Sequence, residues 1–383
     1  MARAPAAAGR SRALSLRAAA LDRGAAAETA PADQVRFDRA QRWLLAVCCA
    51  AQFMVILDLS IVNVALPSIQ SSLGFSSVDL QWVVDAYAIV FAGFLMLGGR
   101  ATDHLGQRRT LVAALGGFAL ASLVGGVAPD QATLIAARAV QGLSGALMAA
   151  GSLAAITSAF EAGPARHRAV GLWGAMNGAG GAAGVFFGGL ITQELGWRWI
   201  LLINVPIGIV AAAGAFLFVH DRRRGDGARP PFDVAGALTL TTGLVVLVWG
   251  IVNAGYLGWL DAAALGPIVL GLALLALFLA IETWVVSAPL VPLRELTGPV
   301  RIANVVVLLF SAALFPMWYV TSLYLQQVLA HSPLATGLVF LPMALTIMLT
   351  ARRTGALVSR YGARSILGGG LVLMTGGMLL LTR

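Results

Sequence analysis

The sequence predicts an all-α polytopic membrane protein with about eleven transmembrane helices and a cytoplasmic N-terminus. Of its 383 residues, 59% are hydrophobic and only 11% are charged, whereas soluble domains carry about 25% charged residues. Apolar stretches recur along the chain, and each is long enough to cross the roughly 30 Å of bilayer hydrocarbon. Arginines are concentrated in alternate connections between these stretches, which is typical of membrane topology.

The chain begins with residues 1–41, which are rich in alanine and arginine and lack the apolar core of a signal peptide. We interpret them as a disordered basic cytoplasmic tail. Pro67 closes the first apolar run and is expected to end the first helix. The apolar stretches predict helices at 42–66, 81–99, 110–128, 132–157, 169–191, 200–219, 234–254, 264–285, 302–326, 334–351 and 366–382.

Arginine placement orients these helices. Alternate connections contain Arg100, Arg108, Arg109, Arg166, Arg168, Arg222, Arg223, Arg224, Arg229, Arg294, Arg301, Arg352, Arg353, Arg360 and Arg364. The intervening connections contain Arg198 alone. Because basic residues favour the cytoplasmic side, the N-terminus is predicted to lie inside. Topology thus accounts for the formal charge of +9, and we predict no nucleic-acid partner.

Two connections resemble each other. "GRATDHLGQRR" follows the second predicted helix and "GALVSRYGARS" follows the tenth, and each places two glycines seven residues apart. Repeated helix bundles are how secondary transporters build a cavity between two halves. The similarity therefore favours an internal repeat, with chance similarity of two short basic loops as the alternative.

Several motifs occur in a fixed order along the chain. They read "LDLSIVNVALPSIQ" in the first helix, "GRATDHLGQRR" in the connection after the second, "RAVQGLSGA" in the fourth and "GAGGAAGVFFGG" in the fifth. Together they resemble the major facilitator superfamily, specifically its fourteen-helix drug/proton antiporter branch. The sequence departs from that branch at Val185, where proline is usual, and by having three fewer predicted helices.

The resemblance implies a domain organisation. Residues 42–220 would form an N-terminal six-helix bundle, 221–290 a linker and an inserted helix pair, and 291–383 a partial C-terminal bundle of three helices. It also implies a proton-coupled transporter that exports drugs or other amphipathic or cationic small molecules across the cell membrane. The alternatives are an exporter of an endogenous metabolite, and a truncated chain that is inactive on its own.

Two charged residues lie deep in predicted helices. Asp58 is about 13 Å from the expected end of its helix at Pro67, and Arg138 is about 12 Å from Asp130, where the fourth helix starts. Intramembrane charges are costly and usually functional, so we predict a facing pair. The alternative is a permanent ion pair that only fixes helix packing. By the resemblance, Asp58 and Arg138 belong to the coupling and substrate machinery, as do Asn63 and Gln141.

Asp85 lies about one turn inside the second helix, in "QWVVDAYAIVF". One interpretation is a second site for a cation or a proton near the outer mouth. The other is an acid favoured by the helix macrodipole at the start of a helix. The sequence does not decide between them.

The connection after the second helix is predicted to be a tight turn. Gly99 and Gly106 would allow the turn, and Asp103 can accept hydrogen bonds from nearby arginines such as Arg108 and Arg109. The resemblance implies a cytoplasmic latch that holds one access state. A plain positively charged loop is the alternative.

The fifth helix is unusually rich in glycine. Small residues at four-residue spacing allow helices to approach closely, and Val185 should leave the helix straighter than a proline would. Trp173 and Asn177 share one face and line either a substrate cavity or a packing contact. The residues that match the antiporter motif are Gly180, Gly184, Gly188 and Gly189.

No enzyme is predicted. The four histidines are scattered, the two cysteines Cys48 and Cys49 are adjacent within a helix, and no glycine-rich loop is followed by Gly-Lys-Ser/Thr. We therefore expect no metal and no cofactor, and energy from a proton gradient. The expected partners are a small-molecule substrate, protons and the lipid bilayer of the cell membrane.

Overall fold

The structure is a computed structural model that describes residues 37–221, 233–285 and 298–381. The predicted tail lies almost entirely outside these residues, as does most of the linker before the seventh helix. Within the described residues the chain is helical, with short connections. The helices are α1 Arg39–Leu73, α2 Trp82–Leu105, α3 Gln107–Gly126, α4 Gln131–Ala159, α5 Pro164–Glu194, α6 Arg198–Phe218, α7 Val234–Leu257, α8 Ala262–Ala280, α9 Gly298–Leu323, α10 Pro333–Tyr361 and α11 Ala363–Leu381.

Each predicted helix coincides with one of these helices, so the all-α membrane fold is confirmed. In the described part of the chain, nine helices are long and apolar enough to cross a membrane. The others are α5, whose glycines lower its mean hydropathy, and α10, whose apolar part is Pro333–Ile347. The orientation inferred from the arginines stays a prediction.

The predicted end of the first helix is wrong. A capping box of Asp38 and Gln41 starts α1, and the helix continues through Pro67 to Leu73, where Gly74 terminates it in the left-handed conformation. A proline inside a membrane helix is tolerated when neighbouring side chains bond the carbonyl groups that it frees. Here the freed carbonyl is that of Asn63, and the Ser322 hydroxyl of α9 donates to it at 2.9 Å. The sequence around Pro67 therefore carries no sign of the continuation.

The first six helices share a buried core. Met54 of α1, Leu111 and Phe118 of α3, Met148 of α4 and Ala215 of α6 belong to one cluster of buried side chains. Within the remainder, α7 packs against α8 and α2, α10 packs along α5, and α9 contacts α1. We call α1–α6 and α7–α11 the two groups of helices. The contacts of α9 and α10 with α1 and α5 form the seam between these groups.

The two similar connections have the same backbone geometry. Gly106 separates α2 from α3 with φ 93° and ψ 152°, and Gly362 separates α10 from α11 with φ 79° and ψ 151°. Each glycine N–H donates to the carbonyl four residues earlier. Positive φ with extended ψ is accessible almost only to glycine. The second glycine of each motif is thus a one-residue junction between helices, whereas Gly99 lies within α2 and makes no turn.

Candidate functional site

Asp58 and Arg138 form a buried ion pair between α1 and α4. Asp58 is 0% exposed and Arg138 is 1% exposed, and Nη1 of Arg138 donates to Oδ2 of Asp58. Because α1 extends to Leu73, Asp58 lies about 22 Å from that end instead of 13 Å. It is still close to the middle of the 35-residue helix. The structure thus brings together the two charges that depth alone suggested as partners.

Two side-chain amides provide further hydrogen bonds to the Asp58 carboxylate. Gln141 Nε2 and Asn204 Nδ2 each donate to Oδ1 of Asp58 at 3.0 Å. Gln141 Nε2 also donates to the Ser122 hydroxyl at 2.8 Å, and Gln141 Oε1 accepts from Arg138 at 2.9 Å. The network therefore joins α1, α3, α4 and α6. Both oxygens of Asp58 are engaged, which stabilises the charged carboxylate away from water.

The guanidinium of Arg138 has partners on α2 as well. Its Nε donates to the backbone carbonyl of Val83 at 2.8 Å, and its Cζ lies 4.6 Å from the ring centroid of Tyr87. A buried cation needs such acceptors and an aromatic face in addition to its counter-ion. These groups hold the Arg138 side chain against α2. A change in the charge of Asp58 would therefore alter the interaction of α1 with α2 and α4.

Two members of this network were not predicted. Asn204 is 0% exposed and belongs to α6, and Ser122 is equally buried in α3. Asn204 had a signal, since it is an isolated amide in the apolar run "ILLINVPIGIV". Ser122 had none, because serine is common in membrane helices and often bonds its own backbone.

The other predicted site residues lie apart from the network. The Asn63 side chain donates to Leu59 O in its own helix at 2.7 Å. Asp85 is half-buried in the first turn of α2. In the part of the chain that the structure describes, no group donates a hydrogen bond to the Asp85 carboxylate. Both interpretations of Asp85 remain open.

The junction at Gly106 is covered by Asp221, which follows α6. Oδ1 of Asp221 accepts from the backbone N–H of Arg108 at 2.9 Å, so it caps the start of α3. A Cβ on Gly106 would lie 2.7 Å from the carboxyl carbon of Asp221. The guanidinium of Arg108 stacks 4.0 Å from the centroid of the Phe216 ring. Sequence reasoning missed Asp221 because it lies far outside the motif.

The remaining members of the predicted latch are at the end of α2 and the start of α3. Gly99 is in α2 with open space at its Cβ position, and Asp103 and Arg109 are exposed. The structure gives Gly106 and Arg108 a definite contact with the end of α6. A role of the motif in holding an access state stays a prediction.

A family model described as Major Facilitator Superfamily matches residues 48–382. The chain belongs to this superfamily. It is therefore a multi-pass membrane protein of a transporter family.

Superfamily members with related sequences include named resistance and export proteins. The chain is 40% identical to the puromycin resistance protein pur8 of Streptomyces alboniger over 89% of this chain and 67% of that protein. It is 39% identical to the cephamycin export protein CmcT of Amycolatopsis lactamdurans, over 83% of this chain and 65% of that protein. The chain thus spans about two thirds of the length of these relatives.

A solved structure shares the fold. The human organic anion transporter MFSD10 (TETRAN) superposes with a TM-score of 0.53 at 17% identity, covering 81% of this chain and 71% of that chain. At this identity the similarity concerns the fold alone.

The four glycines predicted to match the antiporter motif bring α5 close to two helices. A Cβ would meet a carbonyl oxygen of α1 at 2.9 Å from Gly180, at 2.8 Å from Gly184 and at 2.9 Å from Gly188. At Gly189 it would lie 2.9 Å from the Cα of Leu334 on α10. The motif therefore places α5 in backbone contact with both sides of the seam. Val185 lies within this one continuous helix.

Trp173 and Asn177 are tied to neighbouring helices. Trp173 Nε1 donates to the Ser152 hydroxyl of α4 at 2.9 Å. Asn177 Oδ1 accepts from Gln52 Nε2 of α1 at 2.8 Å. The Trp173 ring nitrogen and the Asn177 amide oxygen thus take part in helix packing, and a further role in lining a cavity stays a prediction.

Proposed function

We propose that the chain is a proton-coupled exporter of amphipathic or cationic small molecules. The observation that carries this proposal is the fully buried Asp58–Arg138 pair, whose charges are balanced only while Asp58 is ionised. The relatives named for drug resistance and export support the direction and the kind of substrate.

Protonation of Asp58 is the proposed coupling step. A proton on the carboxylate removes the counter-ion of Arg138 and leaves a buried guanidinium uncompensated, which is strongly unfavourable. The helices that hold the network must then rearrange or admit water. Asp58 thereby gives the α1–α4 contact two states, one ionised and one protonated, whose relative stability follows the proton concentration on the accessible side.

The substrate site is proposed at the seam between the two groups of helices. A small cavity there is lined by Ser60, Asn63, Val64, Val185, Trp318 and Phe340. Its volume is about 10 Å³ and its accessible wall is apolar, so it would contact the apolar part of an amphipathic molecule and must widen to admit one. Asn63 belongs to this cavity and not to the Asp58 network, so we assign it to substrate contact.

Export of a metabolite made by the producing cell is a second candidate. Two relatives favour it, because they are named the cephamycin export protein and the tetracenomycin C resistance and export protein, the latter from Streptomyces glaucescens. A strain lacking this chain that retains such a metabolite, and regains export on complementation, would support this candidate.

Proton movement in proteoliposomes tests the proposal. The 383-residue chain is reconstituted, ethidium is added as a cationic amphipathic probe, and the internal pH is recorded. We expect dye-dependent proton movement that Asp58→Asn abolishes and that Asp79→Asn retains, since Asp79 is a half-buried acid in the connection between α1 and α2 and lies outside the Asp58 network. Equal movement with Asp58→Asn would refute the role of Asp58. No movement with any variant would favour a chain that is inactive on its own, which a longer version carrying three more helices would then test.

A further inference from the structure

Asn204 has an unused hydrogen-bond acceptor beside Asp58. Its Nδ2 donates to Oδ1 of Asp58 at 3.0 Å, and the residue is 0% exposed. In the part of the chain that the structure describes, the other polar atom of the amide, Oδ1 of Asn204, is buried and accepts no hydrogen bond. A buried acceptor without a donor is unfavourable and is rare in folded proteins. Such an oxygen next to the group that is proposed to take up a proton therefore needs an explanation.

The ionised and the protonated forms of Asp58 need opposite partners. An ionised carboxylate only accepts hydrogen bonds, whereas a protonated one carries an O–H that donates. Oδ2 of Asp58 faces Nη1 of Arg138, and a guanidinium has donors only. A proton on Oδ2 would thus place donor against donor. The proton is better held on Oδ1, which faces two amide groups, and one of these amides must then present its oxygen.

The hydrogen bonds of Gln141 hold its amide in one orientation. Its Oε1 accepts from Arg138 at 2.9 Å, and its Nε2 donates to the Ser122 hydroxyl at 2.8 Å. Exchanging the oxygen and the nitrogen of this amide would place the nitrogen against the guanidinium. For Asn204 the same exchange breaks only the bond to Asp58, because its oxygen has no partner among the described residues. A half-turn about the Cβ–Cγ bond of Asn204 then supplies the acceptor.

The other groups around Asp58 are engaged elsewhere. Among the described residues, the charged or titratable groups that face it are Arg138 of α4 and the Tyr87 phenol of α2. The Tyr87 hydroxyl is directed at a backbone carbonyl of α1, and the Ser122 hydroxyl of α3 accepts from Gln141. Glycines form the contact of α5 with this part of α1. Asn204 of α6 therefore carries the acceptor that a protonated Asp58 can use.

We propose that the Asn204 amide inverts when Asp58 takes up a proton, and that Asn204 is a positioning residue for this step. The inference rests on the proposed function, because it concerns the group that is proposed to bind the proton. In the ionised state, Nδ2 of Asn204 donates to Oδ1 of Asp58. In the protonated state, the O–H on that oxygen donates to Oδ1 of Asn204. One O–H bond forms as the proton arrives and breaks as it leaves, and no other covalent bond changes.

The inversion gives the two contacts of Asp58 different fates. The hydrogen bond between α1 and α6 is present in both protonation states, with its direction reversed. The contact between α1 and α4 weakens on protonation, because Arg138 loses its counter-ion. Protonation therefore loosens α1 from α4 while Asn204 still holds it to α6.

Infrared difference spectroscopy tests the inference, because a carbonyl stretch moves to lower wavenumber when its oxygen accepts a hydrogen bond. The chain has five asparagines. Cell-free synthesis with asparagine isotope-labelled at the side-chain carbonyl carbon separates their bands from those of the other amides. The full chain is reconstituted, and spectra at alkaline and acidic pH are subtracted. We expect one labelled band to move to lower wavenumber on acidification, as the carboxylic acid band of Asp58 appears.

Substitutions assign the two bands. Asn204→Leu should abolish the shift of the labelled band, and the Asp58 acid band should lie at higher wavenumber because its O–H has lost its acceptor. Asp58→Ser, which adds no further asparagine, should abolish both signals. Asn253→Leu is the matched control, since Asn253 donates to Ala263 O outside the network, and it should leave both signals as in the parent.

The outcomes separate the inference from the proposed function. An Asp58 acid band without any shift of a labelled band would overturn the inference alone, as would a labelled shift that persists in Asn204→Leu or in Asp58→Ser. Absence of an Asp58 acid band at every pH would overturn the proposed coupling step and the inference together. Both signals without dye-dependent proton movement would count against the proposed function alone. If Asp58→Ser does not fold, Asn204→Leu decides, because the labelled shift must be lost in it.

Discussion

Replacing Asp58 by asparagine removes the counter-ion of a guanidinium that is 1% exposed. The amide would keep an acceptor for Gln141 and Asn204, but its nitrogen would face the Arg138 nitrogen, donor against donor. Removing one partner of a buried pair costs about 3–5 kcal/mol. We expect Asp58→Asn to lower the free energy of unfolding by that amount.

Neutralising both partners should lower the free energy of unfolding by less than the sum of the losses in the two single variants. In the double variant Asp58→Asn/Arg138→Gln no buried charge is left, and neutral replacements of buried pairs are often tolerated. We expect a coupling energy between the two sites of at least about 2 kcal/mol. The assay is denaturant unfolding in mixed micelles, followed by tryptophan fluorescence, with the four members of the double-mutant cycle compared. If the double variant loses the sum of the two single losses, the two charges do not stabilise each other and the reasoning fails.

Further substitutions test the helix junctions and contacts. Gly106→Ala should destabilise the fold by about 1–2 kcal/mol because of its positive φ, whereas Gly99→Ala, within a helix and with open space, should be neutral or slightly stabilising. Gly188→Ala should lower the thermal unfolding temperature by forcing α5 off α1, while Gly171→Ala, with nothing within 4 Å of its Cβ position, should not. Asp130 caps α4, and hydrogen bonds from the backbone lower its pKa. The stability that the ionised cap contributes is therefore present above the ordinary aspartate pKa and is lost as the pH falls through the lowered value. Asp130→Ala and the parent should accordingly converge in stability in acid.

Helix number and identity follow from the sequence because hydropathy over about twenty residues is a local property. The end of α1 does not follow, because the carbonyl that Pro67 frees finds its donor in Ser322, more than 250 residues away. The same holds for the junction at Gly106. Its conformation was predictable from glycine, but its capping by Asp221 depends on how α6 ends beside α3.

The candidate site was predicted in part. Depth along the helices suggested that Asp58 and Arg138 are partners, and Gln141 lies one turn from Arg138 in the same motif. Asn204 was missed, because its contact with Asp58 depends on the rotation of α6 about its axis, which a uniformly apolar helix does not reveal. Polar residues in apolar runs are therefore the most informative positions in such a sequence, whether or not a motif includes them.

The hydrogen bonds of Asp58 determine whether a substrate can bind the group that takes up the proton. Gln141, Asn204 and Arg138 occupy both carboxylate oxygens, and the group is 0% exposed. A cationic substrate therefore cannot pair with Asp58 unless one of these donors leaves. The cavity at the seam meets α1 at Asn63 and Val64, five and six residues further along the same helix. A shift of α1 that follows protonation of Asp58 would move these groups directly. In the proposed function, α1 itself thus couples the proton to the substrate, with no shared binding site needed.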